Sequence, residues 1–303
     1  IEADEYDRMF LGLCPQIVVL TTLELDHPDM FASLDDVRAL FASFVELLPD
    51  GGLLIAGTDD AEVSRFAATQ ADRLRVVRYG LAGTDWGARD IVPNSAGGMD
   101  FTALRGGEPA GQVALQVPGT HNVQNALAVL AVAAELGVPF ERAAAALGAF
   151  SGMGRRFEVR GTARGVTIID DYAHHPTVIR ATLEAARSRY PGAGIWAVWQ
   201  PHTYSRTRAL LDDFAASFGE ADHVIITDVY RSRDVETYGI GPEDVLCRMP
   251  DHPDARHIGG LADVVAHLAA HVQPGDVVII LSAGDATRVC GDLLDVLGGQ
   301  SAS

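Results

Sequence analysis

The stretch VTIIDDYAHHP, residues 166–176, decides how the second half of this chain is read. It opens on a β-branched and apolar run of the kind that forms a strand buried on both faces, and Pro176 suits the first turn of a helix. Between them lie two carboxylates, a phenol and two imidazoles. The same order recurs downstream. Apolar runs at Ile195–Trp199, 224–227 and Val277–Leu281 end in the polar loops QPHTYSRT, DVYRSRD and SAGDAT, and helix-length segments separate them. Such alternation predicts a parallel sheet covered by helices. Ligands bind beyond the carboxyl ends of parallel strands, so the four loops predict one site facing one direction.

Upstream, Ser151, Gly152, Met153 and Gly154 form a flexible joint, and a domain boundary is placed there. Before it, Val123, Ala126, Leu127, Leu130, Ala131 and Ala134 recur at helical spacing, and Gly137 supplies the stop. A second helix follows over 140–147. Further back, strands are expected at 16–20 and 53–56, with a helix over 34–48 between them. Residues 82–109, rich in Gly and Asp, are expected to form loops and short antiparallel strands.

A chain of 303 residues supports two or three domains and excludes a small disulfide-stapled fold. The net charge of −18 disfavours nucleic acid and anionic membrane as partners. All 23 basic side chains are arginine, so lysine chemistry is closed to the chain, both as Schiff base and as phosphate-loop cation. Cys14, Cys247 and Cys290 form no C-x-x-C pair and are expected as buried small hydrophobes in a reducing compartment. No apolar run approaches the ~20 residues that cross a bilayer, so the expectation is a cytoplasmic protein without membrane insertion. The opening Ile1, followed directly by charge, suggests a chain cut from something longer.

Several clusters can carry chemistry. In DDYAHHP, aspartates and histidines suit metal binding, sugar-hydroxyl recognition or proton transfer, or His174 and His175 serve only to cap the helix. His202, Tyr204, Ser205 and Arg206 of the next loop predict an anionic ligand, because a guanidinium fork matches carboxylate or phosphate, or Arg206 and Arg208 only solvate a helix face. Asn122 and Asn125 share a face at a helix start, where an amide can read a base edge or simply cap the helix. Glu2 of EADEYD and His27 of ELDHPD can share a hard divalent cation, or belong to a solvated acidic surface. Arg155 and Arg156 sit at the joint, placed to sense phosphate.

Taken in order, EADEYD, TTLELDHPD, PGTHNVQN, GRRFE, DDYAHHP and QPHTYSRT, spanning residues 2–207, resemble the motifs of the Mur ligase family, the ATP-dependent amide-forming enzymes of peptidoglycan synthesis. The resemblance implies an α/β chain in two parts. Residues 1–152 correspond to a truncated central ATPase-type α/β domain, and 153–303 to a Rossmann-like, amino-acid-binding C-terminal domain with a mostly parallel sheet. A UDP-sugar domain and a lysine-bearing phosphate loop are expected to precede residue 1, so the chain alone is expected not to catalyse ligation.

The resemblance also implies ATP and Mg²⁺. It further implies UDP-N-acetylmuramate and L-alanine as small-molecule substrates, joined through an acyl phosphate. Carried over by position, Glu2 and His27 fall at the Mg²⁺ ligands, Asn122 and Asn125 at the adenine, Arg156 at the phosphate, and Asp171 at the ribose. Tyr172, His174, His202 and Arg206 fall where the amino acid sits, with Arg206 the partner of its carboxylate. Thr203 stands where many relatives carry arginine. The related peptide-recycling ligase is the nearest rival reading. From other classes come a metal-dependent hydrolase built on Asp170, Asp171, His174 and His202, and a nucleotide-binding regulatory module without turnover.

Overall fold

A computed structural model describes residues 1–82 and 85–299; Gly83 and Thr84, within the stretch expected to form loops, and residues 300–303 lie outside the described residues. The chain divides into two compact units, Ile1–Ser151 and Gly152–Ser303.

The first unit begins with a 3₁₀ turn, Met9–Gly12, and continues through β1 (Ile17–Leu20), α1 (Leu34–Val45), β2 (Leu53–Gly57), α2 (Ala61–Gln70) and β3 (Arg75–Tyr79). β4 (Trp86–Pro93), β5 (Met99–Arg105), β6 (Glu108–Ala114), α3 (Thr120–Glu135) and α4 (Phe140–Ala149) complete it. The strands lie in chain order in one sheet, parallel from β1 to β4 and antiparallel from β4 to β6. The stretch expected as loops and short strands is thus a meander of full-length strands. Successive β2 side chains point to opposite faces, as the pleat requires. Leu53 and Ile55 meet Phe101 and Leu127 in one core, whereas Leu54 and Ala56 meet Val37, Phe44 and Val63 in the other.

The second unit runs β7 (Glu158–Ala163), β8 (Val166–Asp171), α5 (Pro176–Arg189), β9 (Ile195–Trp199), α6 (Tyr204–Ala209), α7 (Leu211–Ala215) and β10 (His223–Ile226). α8 (Pro242–Leu246), β11 (Ala255–His257), α9 (Leu261–His271), β12 (Val277–Leu281) and α10 (Arg288–Leu297) follow. Its sheet has the order β11-β10-β9-β12-β8-β7, parallel except for the β7–β8 pair. β9 and β12 are buried at every position, which is why their sequences are continuous apolar runs rather than alternating ones. Ile169, Ala197, Trp199 and Ile279 pack beneath α5 and α7, and Ile168, Val198 and Ile280 beneath α9 and α10.

β12, last in sequence, lies between β8 and β9. The loops leaving β8, β9 and β12 therefore lie side by side at one edge.

Candidate active site

At that edge β8 ends in Asp170 and Asp171, both buried. Asp170, 0% exposed, accepts from Thr287 Oγ1 at 2.5 Å, and Arg160 Nη1 and Arg155 Nε stand 3.5 and 3.7 Å from its Oδ2. Asp171 is 4% exposed, and its two oxygens accept from the Phe157 N–H at 2.8 Å and the Ala173 N–H at 2.7 Å. Burial pushes its carboxyl up to about 6, against the pull of those two amides and of Arg156. The Asp171 carboxylate is enclosed and fastens the 155–157 joint to the end of β8.

That joint is locally strained. Arg155 and Phe157 have φ of 57° and 50°, the left-handed region that non-glycine residues seldom occupy. The Arg155 N–H donates to Glu158 Oε2 at 2.8 Å, its Nη2 donates to Ser282 O at 2.6 Å, and the Asp171 bond secures Phe157. The guanidinium carbons of Arg155 and Arg156 lie 5.0 and 5.3 Å from the Tyr172 ring centre. Arg156 is exposed, its charge presented to solvent.

A file of rings crosses the strand ends. Tyr172 and His174 meet edge to face at 5.1 Å, His174 and His202 at 5.8 Å, and His202 stacks on Tyr230 at 5.6 Å with planes 14° apart. His174 Nδ1 lies 2.7 Å from Tyr172 O. A carbonyl only accepts, so Nδ1 carries the proton and Nε2 is the basic nitrogen of the neutral ring. His175 does cap α5, its Nδ1 accepting from Thr177 N at 3.4 Å, with Pro176 at the first helical position. The capping reading holds for His175, whereas His174 faces the ring file.

Arg206 lies deeper still. It is 1% exposed, and its Nη1 donates to His202 O at 2.6 Å and lies 3.2 Å from His202 Nδ1. A guanidinium only donates, so Nδ1 of His202 is the acceptor and the neutral ring carries its proton on Nε2. Arg206 thus sets the His202 loop from within. Thr203 is buried and caps α6, its Oγ1 accepting from Arg206 N at 3.5 Å. Behind the rings, Gln200 Oε1 accepts from Ser282 Oγ at 2.7 Å and from Ala286 N at 3.1 Å, tying the β9 and β12 loops together.

The hydrolase reading fails on this geometry. Asp170 Oδ2 faces Thr287 and two arginines, and both Asp171 oxygens accept from backbone amides. Among the described residues no group of three or more His, Cys, Asp or Glu side chains is arranged to hold a metal ion.

In the first unit, Asn122 and Asn125 stand on the opening turns of α3, whose N-cap is Gly119 at φ 93°. The asparagines therefore do not cap it. Asn122 Nδ2 donates back to Pro118 O at 2.7 Å, and Asn125, exposed, donates to Asn122 Oδ1 at 3.4 Å. His27, at φ 53°, has Glu5 Oε1 at 3.6 Å and Asp26 Oδ2 at 3.8 Å from its Nε2, and Tyr6 packs on its ring at 4.9 Å. Burial pushes the Glu5 carboxyl up. Glu2 is exposed. Mg²⁺ takes one or two protein ligands, oxygen donors by preference, and completes its shell with water and phosphate, so the solvent-facing Glu2 carboxylate fits it in kind, whereas the His27 imidazole is a softer donor than it prefers.

The cysteines depart from expectation too: Cys14 and Cys247 are exposed, and only Cys290 is buried. No helix among the described residues is long and apolar enough to cross a membrane.

Two sheets, each covered by helices on both faces, define an α/β protein. The Mur ligase middle domain matches residues 2–133 and the Mur ligase glutamate ligase domain matches residues 155–284, so the chain belongs to the Mur ligase family. It is 40% identical over 290 residues to a UDP-N-acetylmuramate–L-alanine ligase of Caldanaerobacter subterraneus, covering 95% of this chain and 62% of that protein. A UDP-N-acetylmuramate–L-alanine ligase of Rubrobacter xylanophilus is 41% identical over 297 residues, covering 97% and 65%. The crystal structure of UDP-N-acetylmuramate-alanine ligase from Thermotoga maritima superposes with a TM-score of 0.77 at 25% identity, over 99% of this chain and 63% of that one. The chain thus spans less than two thirds of the length of these relatives.

Proposed function

We propose that this chain is the nucleotide-binding and acceptor-binding part of a cytoplasmic ligase that joins L-alanine to UDP-N-acetylmuramate, with ATP forming an acyl phosphate that the amine then attacks. What carries the reading is the likeness to alanine-adding ligases over 95% of the chain. In phosphoryl and acyl transfer of this kind, positioning and charge neutralisation do most of the work. Mg²⁺, when bound, neutralises phosphate charge, and Glu2 and His27 are the residues assigned to it. Asn122 and Asn125 are assigned to the adenine, the exposed amide of Asn125 to its edge. Arg156, held over Tyr172 yet exposed, is assigned to phosphate.

Tyr172, His174 and His202 line the place of the amino acid. The basic Nε2 of His174 suits the acceptor's ammonium, which must lose a proton before it attacks, and the Nε2–H of His202 suits its carboxylate. Arg206 acts there through His202.

The test uses the full-length enzyme that we propose contains this chain. ADP release should require UDP-N-acetylmuramate and L-alanine together, and Asn125→Ala should raise KM for ATP about tenfold without altering KM for alanine. Release indifferent to both substrates would end the reading; preference for an intact peptide over alanine would replace it with the recycling ligase.

A further inference from the structure

The DVYRSRD loop after β10 has no part in the assignments above, yet it grips the β9–α6 loop at three points. Tyr230 N–H donates to Pro201 O at 2.9 Å, and Tyr230 pairs with His202 in an isolated parallel bridge. The two rings stack, as described. Four residues on, Asp234 is 9% exposed, and its carboxylate accepts from Ser205 N at 2.7 Å and from Ser205 Oγ at 3.1 Å. A carboxylate only accepts, so the Ser205 hydroxyl spends its single proton on Asp234. The 2.8 Å contact between Thr203 Oγ1 and Ser205 Oγ is then donated by Thr203, which in turn accepts from Arg206 N. One carboxylate therefore orders the hydroxyls of the first turn of α6, between the two residues that fix the ring file: His202 before it and Arg206 within it.

We infer that Asp234 is a positioning residue for the amino-acid acceptor. Through Ser205 and Thr203 it sets the first turn of α6, and through Arg206 the height and tautomer of the His202 ring, while Tyr230 holds that ring from its outer side. The inference rests on the acceptor reading of this site.

In Asp234→Asn only one oxygen remains to serve two donors, and removing a charged acceptor from a buried bond weakens it by about tenfold or more. In the full-length enzyme, KM for alanine should rise about tenfold and KM for ATP stay within about twofold, with Asp234→Glu recovering part of the loss. A role confined to stability would instead lower kcat and leave the two KM values in step, and that result overturns the inference. The 303-residue chain supplies a second measurement independent of turnover. By ¹⁵N NMR, Asp234→Asn should speed exchange of the Ser205 amide and move the His202 ring nitrogens away from the Nε2–H pattern; unchanged exchange and ring shifts overturn the positioning role. If the wild-type enzyme shows no alanine-dependent ADP release, the functional reading fails, and the NMR pair alone decides whether Asp234 positions His202.

Discussion

Asp171 couples the second unit's stability to pH in a way that a single substitution exposes. Its carboxyl stands at about 6 instead of the ordinary 3.8, chiefly because burial penalises the charged form. At about 1.4 kcal/mol per pH unit this corresponds to about 3 kcal/mol between the limits. The folded state holds the proton more tightly than the unfolded chain. The associated stability is therefore complete below about 3.8 and is lost as pH rises through about 6. About 1.4 kcal/mol of it falls between pH 7.5 and pH 5, a range that avoids the most acid conditions.

Asp171→Asn cannot titrate. Its amide offers one acceptor oxygen to the two backbone N–H groups of Phe157 and Ala173, which costs on the order of 1–3 kcal/mol at every pH. The penalty of the variant, measured by urea unfolding followed through tryptophan fluorescence, should accordingly grow by about 1.4 kcal/mol from pH 7.5 to pH 5. A penalty constant within about 0.5 kcal/mol, or one that shrinks toward acid, would refute the account of a carboxylate held against its own desolvation.

Two further outcomes are expected. A Cβ at Gly284 would lie 2.5 Å from Gln200 Oε1 and 2.7 Å from Tyr230 Cγ, so Gly284→Ala should cost about 1–3 kcal/mol in thermal unfolding, part of it recovered by adding Tyr230→Ala. Burial pushes the Cys290 thiol up to about 12, whereas Cys14 and Cys247 are exposed; a disulfide reagent should thus titrate two thiols in the folded chain and the third only in denaturant.

The elements legible in the sequence were those whose burial leaves an unmixed signal. IWAVW and VVIIL read as strands because both faces are covered, and the polar loops after them mark the functional edge. β7 left no such trace: none of its residues is fully buried, it carries Glu158 and Arg160 on an edge, and its register shifts between Val159 and Gly161. β11 is only Ala255–His257, too short to show a period. At the candidate site, residue type pointed to chemistry with anions and protons, but not to which group faces outward. Arg206 reads as a ligand because guanidinium fits carboxylate; that it also bonds the His202 carbonyl is something no composition reveals. Asp171 is claimed by an amide fourteen positions upstream, a long-range pairing invisible to local pattern. Asp234 was in view within DVYRSRD, but its bond to Ser205 depends on how two loops meet.

The place of β12 has a consequence for how the protein is made. The strand that fills the gap between β8 and β9 is the last one the ribosome delivers in this unit, so the earlier strands emerge with their central slot open and their apolar faces unsealed. Nascent chains halted before residue 277 should stay sensitive to protease and dependent on chaperones, and the ring file should take its final form only after Leu281 has left the exit tunnel.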